Sequence, residues 1–237
     1  MWKHICELLF CMGVVQAVLA VLLNIAERNR EVTDYSLVIT QQLRLLCLLS
    51  GEAVFACGRK WQAFFPVCSS QGNPFWGMVV YTALGVVAGC LLMACVTDCQ
   101  NCMIYQYVWW IGGSAGICLV LLALQENYSS GSGKREAFIV NTVLLLLKIL
   151  VIGLLQEVLF SRMYGRADCH AFWVCGVVQC AMGLGIREHL LQMLLAVMVL
   201  AVVQGVQKNI DKKGSLKKAV PFLPYISLSF WLVLVGI

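Results

Sequence analysis

Long apolar runs separated by short polar stretches set the pattern of this chain, and most of the runs are too long for the helices of an ordinary soluble core. From position 75 onward they recur as Phe75–Thr97, Met103–Leu124, Ala137–Phe160, Cys169–Ile186, His189–Gln207 and Val220–Ile237. Each comes close to or exceeds the ~20 residues with which an α-helix crosses a bilayer. Upstream, Ile5 to Ala26 is a further run, interrupted mainly by Glu7, Gln16 and Asn24. It is longer than the ~7–15 apolar residues of a signal peptide and reads as a retained anchor. Between Tyr35 and Gly58 the pattern is mixed, because Gln41, Gln42, Arg44 and Glu52 interrupt Leu37-Val38-Ile39 and Leu45 to Leu49. Residues 37–57 therefore either span or lie along the interface. Pro66, Ser69-Ser70, Gly72-Asn73 and Pro74 supply turn chemistry, which puts a boundary there. The expected fold is all-α, a polytopic transmembrane helix bundle. Residues 1–74 form an N-terminal anchor with an interfacial or second spanning segment, and residues 75–237 form a six-helix core.

Composition supports the same class. The chain is 61% hydrophobic and 12% charged, with a mean hydropathy of +0.84, where a soluble domain runs nearer half apolar and about a quarter charged. The net charge of +5 is spread along connectors and forms no concentrated basic face, so the partner it implies is the lipid bilayer and no nucleic acid is expected. Of the thirteen cysteines, most, such as Cys90, Cys95, Cys118, Cys175 and Cys180, fall inside apolar runs and behave as small hydrophobes. No disulfide framework is implied, although Cys57 and Cys68 form a candidate pair if both lie on an oxidising side.

Charge placement gives the sidedness. Asp98 ends the run Phe75–Thr97 and Asp168 opens the run Cys169–Ile186; two spans separate these ends, so both acids share one face. Arg162, Arg166, Lys208, Lys212, Lys213, Lys217 and Lys218 fall on that face, and Lys134, Arg135 and Arg187 on the other. Seven against three predicts that the aspartates face the cytoplasm. Arg28 and Arg30, within Glu27 to Asp34, put that end of the first helix on the same side and the N-terminus outside. The polar loop Glu126 to Glu136 is then a flexible external connector.

Two carboxylates brought together at a membrane surface cannot both ionise cheaply. One holds a proton while the other accepts one from water, which makes a general acid and a general base from identical residues. Asp34 and Asp211, the other two aspartates, lie in charged connectors where solvation accounts for them.

At Gly165-Arg166-Ala167-Asp168 the chain resembles the Gly-x-Gly-Asp motif of the type IV prepilin peptidases and their archaeal preflagellin relatives, which are intramembrane aspartyl proteases. Asp98, followed six residues later by Ile104, is similar to the family's first aspartate motif. Val220-Pro221-Phe222-Leu223-Pro224 resembles the Pro-Phe-x-Pro that opens its last helix. The resemblance covers Phe75 to Ile237. It implies a six-helix aspartyl peptidase core in a bacterial cytoplasmic membrane, with Asp98 and Asp168 catalytic, Gly165, Ala167 and Ile104 as motif support, and no cofactor or metal. The implied substrate is a prepilin-like membrane protein, cut between its basic leader and its hydrophobic helix at the cytoplasmic surface. The chain has no four-cysteine module of the kind carried by the members that also methylate, so no methyltransferase activity is expected. It departs from the family pattern at Ala167, where glycine is usual, at His170, where lysine is usual, and at Tyr105-Gln106, where Pro-Asn is usual. Alanine keeps the site small but loses glycine's free access to positive φ.

Other residues carry alternatives. Cys99 and Cys102, with Cys169 and His170, are conceivable zinc ligands if the acids meet, against the plainer reading of membrane-edge cysteines. Lys148, in mid-span, should face the bundle or water. Glu157, nine residues further on, does not pair with it directly and is either a substrate or relay group or a snorkelling or structural contact. Lys208 to Lys218 reads as the determinant of sidedness before it reads as a docking patch. His189 reads as an interfacial residue. Two further function classes stand beside the peptidase: a catalytically impaired homologue assisting pilus assembly, and a small-solute membrane transporter.

Overall fold

The computed structural model describes residues 2–28, 41–64, 74–101, 104–129, 135–210 and 221–236. These form eight α-helices and, among the described residues, no strand: α1 Trp2–Arg28, α2 Gln41–Phe64, α3 Pro74–Asn101, α4 Gln106–Ser129, α5 Arg135–Tyr164, α6 Arg166–Ala181, α7 Ile186–Ile210 and α8 Leu223–Gly236. Five of them, α1, α3, α4, α5 and α7, are long and apolar enough to cross a membrane. The chain is a multi-pass membrane protein, all-α, as the run pattern predicts. In lipid a spanning segment must satisfy its own backbone groups, and a helix does so within itself.

The mixed segment is resolved as a helix inside the bundle. α2 runs antiparallel to both α1 and α3 and packs on each: Arg59 near its end reaches His4 near the start of α1 at 3.2 Å, Gly51 abuts Met12, and Gly58 abuts Tyr81 of α3. Its buried positions, Cys47, Ser50, Val54, Cys57 and Trp61, recur at alternating spacings of three and four, one face of a helix. α1 and α3 run side by side, with Val14 and Val18 pressed onto Gly85 and Gly89. A Cβ at either glycine would stand 2.6 Å from a valine methyl. Small residues four apart let two helices approach closely, and in lipid that packing is the main source of helix association.

α4 packs on α3 and α6. α6 also receives α5, with Trp173 occupying the space beside Gly153, and it meets α8 and more sparingly α7. α8 packs on α7, α3, α6 and α2. The expected spans are reproduced with shifted ends. The Cys169–Ile186 run becomes the 16-residue α6, which stops at Ala181 ahead of a turn through Gly183 at φ +75°, and α8 has 14 residues.

Two expectations are corrected, while Lys148, expected to face the bundle or water, is exposed on α5. His189 is not interfacial: it is 2% exposed, and its Nδ1 lies 3.0 Å from Gln179 Oε1. The turn through Met182 to Gly185 folds α7 back on α6 and buries the imidazole between them. Ala167 needs no positive φ, because it is the second residue of α6; the left-handed backbone belongs to Gly165, at φ 94°. Cys57 is buried with a free thiol. Cys68, Cys102 and the basic run 211–218 lie outside the described residues.

Candidate active site

The site is built from helix ends. Gly165, with φ 94° and ψ 152°, is the joint that turns the chain from α5 into α6. A side chain there would be strained, since that region belongs almost wholly to glycine. Three residues later Asp168 sits in the first turn of α6, where the helix dipole favours a negative charge. It is 5% exposed.

Asp98 stands near the C-terminal end of α3, where its own helix dipole disfavours it. Its compensation comes from another helix. Leu223 N–H donates to Asp98 Oδ2 at 3.0 Å, and the Phe222 amide is directed at the same carboxylate. These are amides that the start of α8 leaves unpaired, so Asp98 caps α8 across the bundle. Pro224 follows with no N–H to offer, which fits the first turn of a helix. Asp98 is 7% exposed. Each carboxylate therefore stands at a helix N-terminus, Asp168 at its own and Asp98 at that of α8.

An aromatic contact holds the two ends together. Phe172, one turn beyond Asp168, meets Phe222 edge to face at 6.1 Å between centroids. The two acids, seventy positions apart in sequence, lie close enough for one to act on the other: burial first, and then the charge of Asp98, push the Asp168 carboxyl up to about 8. Asp168, in the first turn of α6, lies outside the five long apolar spans. The carboxyls differ in partners as well. Asp98 is engaged by α8 amides, while no hydrogen bond among the described residues occupies the Asp168 carboxyl.

Around them, Arg166 Nε lies 3.9 Å from Glu157 Oε1 at the surface, so Glu157 pairs with the residue two before Asp168. Ile104 is half-buried against the core at the start of the segment leading into α4. Tyr107 stacks on Tyr105 at 5.5 Å and ties α4 to the α1 carbonyl of Leu22 at 3.5 Å. Cys99 is exposed, and the His170 ring faces Trp173 edge to face. Among the described residues no cluster of three or more His, Cys, Asp or Glu has the arrangement of a metal site.

Sequence reasoning placed the two acids and the Gly165 turn. It missed Phe172, Phe222 and the Leu223 amide. The signal for the last two was the Pro-Phe-x-Pro run, whose backbone donors make it a receptor for a carboxylate. No family profile matches the chain, no curated protein matches its sequence, and no solved structure matches its fold.

Proposed function

We propose that this protein is an intramembrane aspartyl endopeptidase that removes the basic leader of prepilin-like precursors at the cytoplasmic face of a bacterial inner membrane. The observation that carries the reading is the buried pair Asp98 and Asp168, with the Asp168 carboxyl raised to about 8 and Asp98 as the charge beside it. At neutral pH Asp168 carries the shared proton. Asp98, held by the α8 amides, accepts a proton from water as that water attacks the scissile carbonyl, and Asp168 donates to the carbonyl oxygen. Collapse of the tetrahedral intermediate then expels the amine, which takes the proton held by Asp98, while a hydroxyl of the intermediate returns a proton to Asp168 as the new carboxyl forms. Both carboxyls are titrated as a pair, so the working form is the one with a single proton between them. The cytoplasmic assignment rests on the seven basic residues in the connectors at the aspartate end against three at the other.

A second reading has one observation in its favour. The bond from Leu223 to Asp98 gives that carboxylate a capping role independent of catalysis, which suits a non-catalytic homologue assisting pilus assembly. Co-expression with a prepilin separates the two: processing that is lost in both Asp98→Asn and Asp168→Asn, with each variant still inserted, supports the peptidase. Processing unchanged in either variant overturns it, and no processing by any form favours the helper.

A further inference from the structure

α2 and α5 stand on different flanks of the bundle. α2 packs on α1, α3 and α8, whereas α5 packs on α6 and only sparingly on α4 and α7. Each turns an apolar face outward with a charge at mid-helix. On α2 the exposed Leu45, Leu48 and Leu49 lead at helical spacing to the exposed Glu52, which points away from the buried stripe centred on Val54. On α5 the exposed Leu144, Leu147 and Val151 surround the exposed Lys148, at the centre of the apolar stretch Ala137–Leu159. The ion pairs among the described residues are Lys3–Glu7, His4–Glu7 and Arg166–Glu157, and none includes Glu52 or Lys148.

The two charges stand at neighbouring depths. Val14 and Val18 meet Gly85 and Gly89, and Gly51 meets Met12, which puts Glu52 about level with Ala83 of α3. On the other flank Gly112 meets both Cys90 and Val174, and Ile149 meets Gly176, which puts Lys148 about level with Val87. At 1.5 Å per residue the levels differ by about 6 Å. The side chains close that gap, because a helical side chain leans toward its own N-terminus. α2 begins at the aspartate end and α5 at the opposite end, so Glu52 leans toward the level of Lys148 and Lys148 toward that of Glu52. A headgroup phosphate, ~15 Å from mid-bilayer, is beyond the lysine stem. A charge left unpaired at this depth is costly, and pairing with an opposite charge on another helix relieves it. Copies of one membrane protein insert the same way up, so only groups at matching depth can meet between them.

We propose that a second copy of this chain docks on the first, α5 of one against α2 of the next, with Lys148 paired to Glu52 across the contact. The two faces belong to different helices, so the contact is head-to-tail: two copies leave one Glu52 and one Lys148 open, and a closed ring leaves none. The contact stands whether or not the two acids are catalytic.

The full-length chain, carried under two different tags, is reconstituted in phosphatidylcholine vesicles with a photo-reactive residue at position 48 of one form. A cross-link between the tags that maps to α5 is expected, read per inserted copy. It should fall about tenfold when both forms carry Glu52→Gln or Lys148→Met. Glu52→Lys and Lys148→Glu should each abolish it alone, and the two variants mixed should restore it, since each supplies the charge that the other's face requires. A cross-link that maps to α2 or to any helix other than α5, or one that ignores both charges, overturns the proposal. So does the absence of any cross-link between copies in the vesicles, whether the position then labels lipid alone or, in native membranes, a different protein.

Discussion

Two apolar helices of similar length have opposite surroundings: 72% of the most apolar stretch of α3 is buried, against 17% of that of α5. Both runs announce a membrane, and apolarity says nothing of what each faces. Residue size does. α3 carries Gly85 and Gly89 where α1 presses against it, and α5 carries Leu144, Leu147, Leu154 and Val158 toward the outside. Close protein contact selects small residues, and a lipid-facing surface accepts large ones. Asp98 belongs to the packed half, while Asp168 begins the helix on which the loose flank leans, so the pair stands on the seam between them.

The largest expected effect tests whether the seam is the working part. Asp98→Asn and Asp168→Asn should each lower prepilin processing by about 10²–10⁴-fold, read as product per unit of inserted protein. Asp98→Ala should also lower the melting temperature in detergent, because it strips the cap from α8, whereas Asp168→Ala should not. Next, Gly89→Leu should destabilise by about 1–3 kcal/mol in a denaturant titration, and Leu154→Ala by less than ~0.5 kcal/mol, since an outward side chain exchanges one lipid contact for another. Equal effects would erase the contrast between the halves.

Gly165→Ala should cost about 1–3 kcal/mol, the strain of a non-glycine residue at that backbone conformation, while Ala167→Gly changes little; paired thermal melts read both. pH sharpens the same point. The Asp168 carboxyl is raised from an ordinary value near 4 to about 8, so between those pH values the folded chain holds a proton that the unfolded chain releases. Stability therefore falls as pH rises through that window. Processing should decline above about pH 8 as the pair becomes doubly charged. Melting temperature should drop between about pH 4 and 8 in the native chain and stay flatter in Asp168→Asn. A comparably modest effect is expected of Lys60→Met, worth about 1 kcal/mol in the same titration. Lys60 Nζ donates to the carbonyls of Val235 at 2.7 Å and Leu234 at 3.4 Å, the unpaired acceptors at the end of α8.

The apolar runs made the six core helices legible, and the two spans between them grouped the two acids on one face. α2 stayed ambiguous because Arg44, Glu52, Arg59 and Lys60 mask it from any test of overall apolarity. Its Cys47, Ser50, Val54, Cys57, Trp61 stripe is readable by period, but two of the five are weakly hydrophobic cysteines and one is polar. Gly85 and Gly89 were in plain sight as a close-packing pair whose partner a single sequence does not identify. His189 looked interfacial because Arg187 and Glu188 precede it, and only the fold brings Gln179 to it. The Phe172–Phe222 contact joins residues fifty positions apart, and nothing local foretells it.

α8 is gripped at both tips by opposite charges, Asp98 at one and Lys60 at the other. It is a rod about 21 Å long at 1.5 Å per residue, and it ties the N-terminal helices to the end of the bundle that holds the two acids. Cutting away residues 1–64 would remove the Lys60 grip and leave Asp98 the one charge engaging a tip of α8.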